Sequence, residues 1–80
     1  MKFSVVNKEI LLDGTERLML TVPREELVYL GYILESFEGW CNYTTPNKSE
    51  SLLQVDVAPD YRDDFIKLIN ILQNWNYKEE

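Results

Sequence analysis

The sequence predicts an α+β domain in which two amphipathic helices cover one face of an antiparallel sheet, in the order ββαββα. Residues 17–22 and 51–57 alternate apolar and polar side chains, as half-buried strands do. Residues 23–38 and 61–75 instead repeat apolar side chains at helical spacing. Strands and helices that follow one another in this order favour a sheet with helices packed on one side.

The length of the chain predicts a single domain over residues 1–80. We expect a βαββα core over residues 16–75, preceded by residues 1–13 as an extended segment or an edge strand. Residues 3–6 either begin that extended element or form a separate strand, and both alternatives stay open. A core of this size rarely supplies more than about 3–5 kcal/mol, so we expect an additional source of stability, most simply oligomerisation.

A turn at Asp13 and Gly14 is predicted to join the first two strands. Both central residues of a type I′ turn need positive φ, which aspartate and glycine tolerate. This turn would pair residues 9–12 with a strand that begins at Glu16. One face of that strand carries Leu18, Leu20 and Val22, and the other carries Arg17, Met19 and Thr21.

The first helix is predicted to begin at Pro23, because proline at the first helical position wastes no hydrogen bond. Glu25 and Glu26 follow it and complement the positive end of the helix dipole. Gly39 stands where a left-handed residue commonly ends a helix. The stripe that we expect to face the sheet consists of Leu27, Leu30, Gly31, Leu34 and Phe37.

A second hairpin and a second helix complete the predicted fold. Residues 40–45 have the aromatic and β-branched side chains of a strand, and residues 46–49 have the composition of a turn. After the strand at 51–57, Pro59 precedes a helix whose first turn carries Asp60, Asp63 and Asp64. The apolar stripe of this helix consists of Tyr61, Phe65, Leu68, Ile69, Leu72 and Trp75.

Charge and composition exclude several classes of function. Fourteen acidic and eight basic side chains give a formal charge of −6, which repels phosphate backbones and anionic lipids. We therefore expect neither nucleic acid nor membrane as a partner. One cysteine and no histidine leave no internal disulfide and no ordinary zinc site within the chain. The lone thiol and the lack of a signal-peptide pattern favour a cytoplasmic location.

Candidate catalytic groups are few in this sequence. The thiol of Cys41 has no histidine to act as its base, and its place in a predicted strand is typical of a small buried residue. The three glycines stand alone at positions 14, 31 and 39, so they form neither a phosphate-binding loop nor a nucleophile elbow. We therefore predict a protein that is not an enzyme and that uses no cofactor or metal.

Two glutamates at the end of the first helix suggest an alternative role. Glu35 and Glu38 lie about one helical turn apart and could bind a hard cation or form a carboxylate pair. Two carboxylates from one helix, however, make a weak metal site. Ordinary solvated positions explain them better. Together with Trp40 and Tyr43 they form the candidate pocket of an alternative hypothesis, a domain that binds a small amino-acid-like molecule. A minor enzyme is a further alternative.

The first helix carries apolar side chains well beyond the stripe that faces the sheet, at Val28, Tyr29, Tyr32 and Ile33. A helix that is apolar nearly all round must be covered on more than one side. The N-terminal segment could fold over it, or the tyrosines could simply be exposed. The leading hypothesis is a noncatalytic interaction or regulatory module that self-associates through these four residues, most simply as a two-fold homodimer.

Three short segments resemble a small bacterial family of domains of unknown function, number 4911. They are residues 22–27 (VPREEL), 32–39 (YILESFEG) and 57–59 (VAP), and the resemblance covers roughly residues 16–75. This resemblance implies no activity. The element order is also similar to that of ferredoxin-like and ACT-like domains without their closing strand. ACT domains commonly bind amino acids with help from a glycine after the first strand, and residues 21–24 contain no glycine.

Overall fold

The computed structural model describes residues 1–46 and 51–75, which form an α+β fold with a four-stranded antiparallel sheet and two α-helices. The helices are α1 (Arg24–Glu35) and α2 (Arg62–Gln73), and a short 3-10 helix (Pro59–Tyr61) leads into α2. The strands are β1 (Ser4–Ile10), β2 (Glu16–Thr21), β3 (Cys41–Thr44) and β4 (Leu52–Val57). The predicted fold class and the order ββαββα are confirmed.

The strand order in the sheet is β1-β2-β4-β3, and each neighbouring pair is antiparallel. Strands β2 and β3 therefore run parallel to each other with β4 between them, and α1 is the crossover that connects them. β1 pairs with β2 at the edge of the sheet. In a split βαβ sheet a closing strand would pair at this edge, so β1 takes the position that residues 16–75 alone leave unpaired.

The core lies between one face of the sheet and the two helices. Leu18 lies opposite Val55, and Leu20 lies opposite Leu53, so these four side chains share one face of β2 and β4. Burial stabilises each of them by about 1.5–3 kcal/mol. The helix side chains buried in the same cluster are Leu30, Leu34, Phe65, Ile69 and Leu72.

The opposite face of β2 and β4 carries mainly polar side chains, together with Met19 and Leu52. Arg17 lies opposite Asp56 and donates to both of its carboxylate oxygens, at 2.8 and 3.1 Å. These hydrogen bonds raise the pKa of Arg17. The alternation of the strands therefore separates an apolar face under the helices from a face held by a forked ion pair.

The N-terminal residues are anchored against the end of α2. Met1 and Phe3 are buried in the core cluster. The Met1 amino group donates to the backbone oxygen of Leu72 at 2.9 Å and also to that of Trp75. Leu72 lies in the last turn of α2 and Trp75 lies just beyond it, so these contacts hold the amino group of Met1 to the end of the helix.

Glu26 ties the same segment to the start of α1. Its carboxylate accepts the backbone N–H of Lys2 at both oxygens, at 2.9 and 3.0 Å, and the side chain is buried. The sequence assigned Glu26 only to the helix dipole. The structure adds a tertiary hydrogen bond, which explains why a carboxylate is tolerated inside this small core.

The first turn is not the type I′ turn predicted at Asp13 and Gly14. Gly14 has φ +89°, but Asp13 has no positive φ, and a type I′ turn needs it at both positions. Leu11 accepts the Gly14 N–H at 2.9 Å and donates to the Thr15 oxygen at 2.7 Å, which closes a longer loop. Asp13 instead accepts the Thr15 N–H at 2.9 Å, and this hydrogen bond lowers the pKa of Asp13.

Both helices end earlier than their apolar patterns predict. α1 ends at Glu35, and Gly39 has φ +87° in the following turn, where the Trp40 N–H donates to Phe37 at 3.0 Å. The glycine therefore serves the turn into β3 and does not cap the helix. α2 ends at Gln73, which leaves Trp75 beyond it.

Of the turn predicted at residues 46–49, only the first residue lies among the described residues.

Neither helix in the described part of the chain has the length and apolar character needed to cross a membrane.

Candidate functional site

The outer face of α1 carries the residues predicted to form an interface. Val28, Tyr29 and Tyr32 are 62 %, 55 % and 67 % exposed. Ile33 is partly buried and packs against the core at the border of this face. The buried residues of the helix lie on its other side, so apolar side chains occupy both sides of α1.

Trp75 extends this surface, although the sequence assigned it to the core stripe of the second helix. Because α2 ends at Gln73, the indole no longer follows the helical stripe and is 48 % exposed. With Tyr29, Tyr32 and Ile33 it lines a shallow cavity of about 370 Å³. We call Val28, Tyr29, Tyr32, Ile33 and Trp75 the aromatic surface.

The candidate ligand pocket is assembled in part. Glu35, Glu38 and Tyr43 line one open cavity of about 410 Å³ between the end of α1 and β3. The Tyr43 hydroxyl donates to the Glu35 carboxylate at 2.6 Å, and this hydrogen bond raises the pKa of Tyr43. Trp40 does not line this cavity and lies in a separate cluster.

Gly31 gives Tyr43 the space to reach Glu35 across α1. A Cβ atom at position 31 would lie 3.0 Å from the Tyr43 hydroxyl oxygen, which is tighter than ordinary Cβ contacts. The helical spacing predicted that Gly31 faces the sheet, but it did not explain why this residue is a glycine. In the structure its missing side chain makes room for a tyrosine from β3.

Trp40 belongs to an aromatic cluster at the other end of β3. Its ring stacks on Tyr61 with centroids 5.1 Å apart and planes 15° apart, and it meets Phe37 at 4.9 Å in a tilted arrangement. It also lines a cavity of about 340 Å³ with residues of the first loop and Pro59. The stacking joins the turn after α1 to the start of α2, which is a structural role.

Cys41 lies between these two cavities and lines both of them. Burial raises the pKa of its thiol to about 11, so the thiol is protonated at neutral pH and is a poor nucleophile. Within residues 1–46 and 51–75, no group of three or more histidine, cysteine, aspartate or glutamate side chains could hold a metal ion.

A fourth cavity, a groove of about 390 Å³ between β1 and α2, was not predicted from the sequence. Glu16 lies in it and is only 9 % exposed. The sequence does contain a signal that Glu16 is buried. Glu16 is in phase with Leu18 and Leu20, so the alternation of β2 already places a carboxylate on the apolar face.

The fold and these surfaces define a small α+β domain with an exposed aromatic helix face and grooves along the helix side of its sheet. Residues 20–74 match the family described as Domain of unknown function (DUF4911), and the chain belongs to this family. The resemblance of the sequence to domain-of-unknown-function family 4911 is thus confirmed, and β1 lies outside the matched residues. Comparison with curated proteins and with solved structures gives no match.

Proposed function

We propose that this protein is a noncatalytic interaction module that self-associates through the aromatic surface. The observation that carries the proposal is the clustering of Tyr29, Tyr32 and Trp75 around one shallow cavity, with about half or more of each side chain exposed. The anchored N-terminal segment packs at the end of α2 and at Glu26, so it does not bury these rings.

The size of the aromatic surface suits the centre of an interface. Aromatic side chains bury about 150–250 Å² each, so three rings that are about half exposed or more offer roughly 250–400 Å². Apolar patches of about 300–600 Å² are the largest on typical monomers and are often functional. A standard interface takes about 800 Å² from each partner, so polar side chains around the aromatic surface would supply the rest.

The charges at the two ends of this surface favour a second copy of the chain as the partner. Arg24 and Glu35 are both exposed and lie 11 positions apart on α1, which is close to three helical turns. They therefore project from nearly the same side as Val28 and Tyr32. An antiparallel two-fold pairing would place Arg24 of each copy near Glu35 of the other, around an uncharged centre.

The test is the mass of the particle in solution. Sedimentation equilibrium of the wild-type chain at micromolar concentration should give a dimer, and Tyr32→Glu should give a monomer because a buried unpaired charge is costly. Ile71→Glu is the matched control, since Ile71 is 65 % exposed on α2 and does not line the cavity of the aromatic surface. A wild-type chain that remains monomeric throughout this range would refute the proposal.

The alternative function is binding of a small amino-acid-like molecule at Glu35, Glu38 and Tyr43. Its support is the cavity of about 410 Å³ that these residues line, which is within the usual range for ligand sites. A ligand that prefers the folded chain would raise its melting temperature in a screen of amino acids, nucleotides and divalent metals. A rise that Glu38→Gln leaves unchanged would place the ligand elsewhere.

For location, we propose the cytoplasm. A lone protonated thiol at Cys41 suits a reducing compartment.

A further inference from the structure

The groove between β1 and α2 contains a buried carboxylate without a partner. Glu16 is nine-tenths buried, and within residues 1–46 and 51–75 no donor makes a hydrogen bond to its carboxylate and no basic side chain forms an ion pair with it. The other buried carboxylate, Glu26, accepts two hydrogen bonds from Lys2. Buried polar groups are normally satisfied, so the exception at Glu16 points to a missing partner.

A positive charge lies in the same groove. Lys8 sits opposite Leu18 in the register of β1 and β2, which places it on the same face as Glu16 and diagonally across from it. Diagonal neighbours on paired strands are about 7–8 Å apart, and Lys8 and Glu16 form no ion pair in the described structure. The groove therefore offers a buried negative group and an exposed positive group with space between them.

The remaining wall of the groove is largely aliphatic. Its aliphatic side chains are Val5, Leu18, Ile66 and Ile69, and the polar residues Ser4, Asn70 and Gln73 complete the lining. The volume of about 390 Å³ is within the range of small-molecule sites. Gln73 already donates to the Phe3 oxygen at 3.3 Å, which holds this part of the lining to the N-terminal segment.

We propose that this groove binds a small zwitterion with an aliphatic body, such as an aliphatic α-amino acid. The ammonium group of the ligand pairs with Glu16, its carboxylate faces Lys8, and its hydrocarbon chain covers Ile66 and Ile69. The two ligand charges then replace the direct contact that Lys8 and Glu16 do not make. This site is separate from the aromatic surface, and its occupancy does not depend on self-association.

Three probes of matched shape separate the contributions. L-norleucine carries both charges, n-pentylamine lacks the carboxylate, and hexanoate lacks the ammonium. Isothermal titration calorimetry should rank norleucine first and pentylamine about tenfold or more weaker, because its ammonium meets the charge of Lys8 without a compensating carboxylate. Hexanoate should not bind detectably, because its carboxylate can pair only with the exposed Lys8 and leaves the buried charge of Glu16 without a partner.

Two variants and a control test the assigned contacts. Glu16→Gln keeps the shape of the side chain and should weaken norleucine binding by about tenfold or more. Lys8→Met should remove most of the difference between norleucine and pentylamine. Glu9→Gln removes the same charge from the outer face of β1, opposite Arg17, and should leave binding unchanged.

Nuclear magnetic resonance supplies the location of binding. Norleucine should shift the backbone amide signals of Glu16, Ile66 and Ile69 in the wild-type chain, and circular dichroism should show that each variant is folded. The proposal is overturned if norleucine produces no heat and no shifts at millimolar concentration, or if Glu16→Gln binds it as well as the wild type does. It is equally overturned if Glu16→Gln and Lys8→Met destabilise the chain equally without any ligand effect, since that result assigns the two residues to each other.

Discussion

α1 and α2 begin alike but present different outer faces. Each follows a strand and a proline, has 12 residues and carries two acidic side chains in its first turn. Exposed apolar residues occur on both helices, but Ile66 and Ile71 on α2 point in different directions, whereas Val28 and Tyr32 on α1 are stacked one turn apart. Exposed apolar side chains therefore make a candidate interface when they are contiguous, and their number matters less.

The two buried carboxylates show a similar contrast within the core. Glu26 at the start of α1 is satisfied by the backbone of Lys2, whereas Glu16 at the start of β2 has no partner among the described residues. The first case explains how the N-terminal segment is held. The second is the basis of the proposed zwitterion site, because two carboxylates buried in one small core differ in whether they have a hydrogen-bond partner.

The largest expected effect lies on the inner face of α2. Phe65 is almost fully buried, so Phe65→Ala should lower the free energy of unfolding by about 3–5 kcal/mol, which is comparable with the whole stability of a small domain. Ile66→Ala, at its half-exposed neighbour, should cost much less. Urea denaturation monitored by circular dichroism measures the free energy of unfolding of both variants. Equal losses would contradict the assignment of Phe65 to the buried face of α2 and of Ile66 to its exposed face.

The first turns of the two helices should respond differently to loss of an acidic charge. Glu26→Ala leaves the Lys2 N–H without its acceptor and should cost about 1–3 kcal/mol in the free energy of unfolding. Asp63→Ala, in the exposed first turn of α2, should lose only the helix-dipole contribution of about 0.3–1 kcal/mol. Chemical denaturation measures the free energy of unfolding of both variants. A larger loss for Asp63→Ala than for Glu26→Ala would contradict the assigned role of Glu26.

Substitution of Gly31 tests why α1 contains a glycine in its middle, whereas α2 contains none. Alanine should favour the helix by about 1 kcal/mol, but its Cβ meets the Tyr43 hydroxyl, so Gly31→Ala alone should gain little or lose stability. In a Tyr43→Phe background the same change should recover most of the helical gain. A double-mutant cycle measures the coupling, and additive effects would argue against the contact.

The smallest effect is a pH dependence at the end of α1. The hydrogen bond to Glu35 raises the pKa of Tyr43 in the folded chain above its usual value of 10.0. The stabilisation that it contributes is therefore complete below the unfolded pKa and is lost as pH rises through the folded pKa. Titration of the Tyr43 ring carbons by nuclear magnetic resonance should show a midpoint above pH 10, and Glu35→Gln should lower that midpoint.

Several contacts at the candidate sites could not be predicted because they depend on where one element ends and on how another element packs against it. Trp75 joins the aromatic surface only because α2 ends at Gln73, and Tyr43 reaches Glu35 only because β3 places it over Gly31. Glu16 is a different case, since the alternation of β2 already showed a carboxylate in phase with buried leucines. What the pattern did not show is that β1 and α2 form a groove around it.

Alone, the sequence determined the elements of this protein, the order in which they occur and the faces that they bury. Alternation in β2 and β4 and helical spacing in the two helices are local properties, so they survive in the folded chain with only their ends displaced. The tertiary structure decided where β1 pairs, which carboxylate is satisfied, and which side chains meet at a surface. Those outcomes depend on packing between elements, and no local period in a sequence records which distant residues that packing brings together.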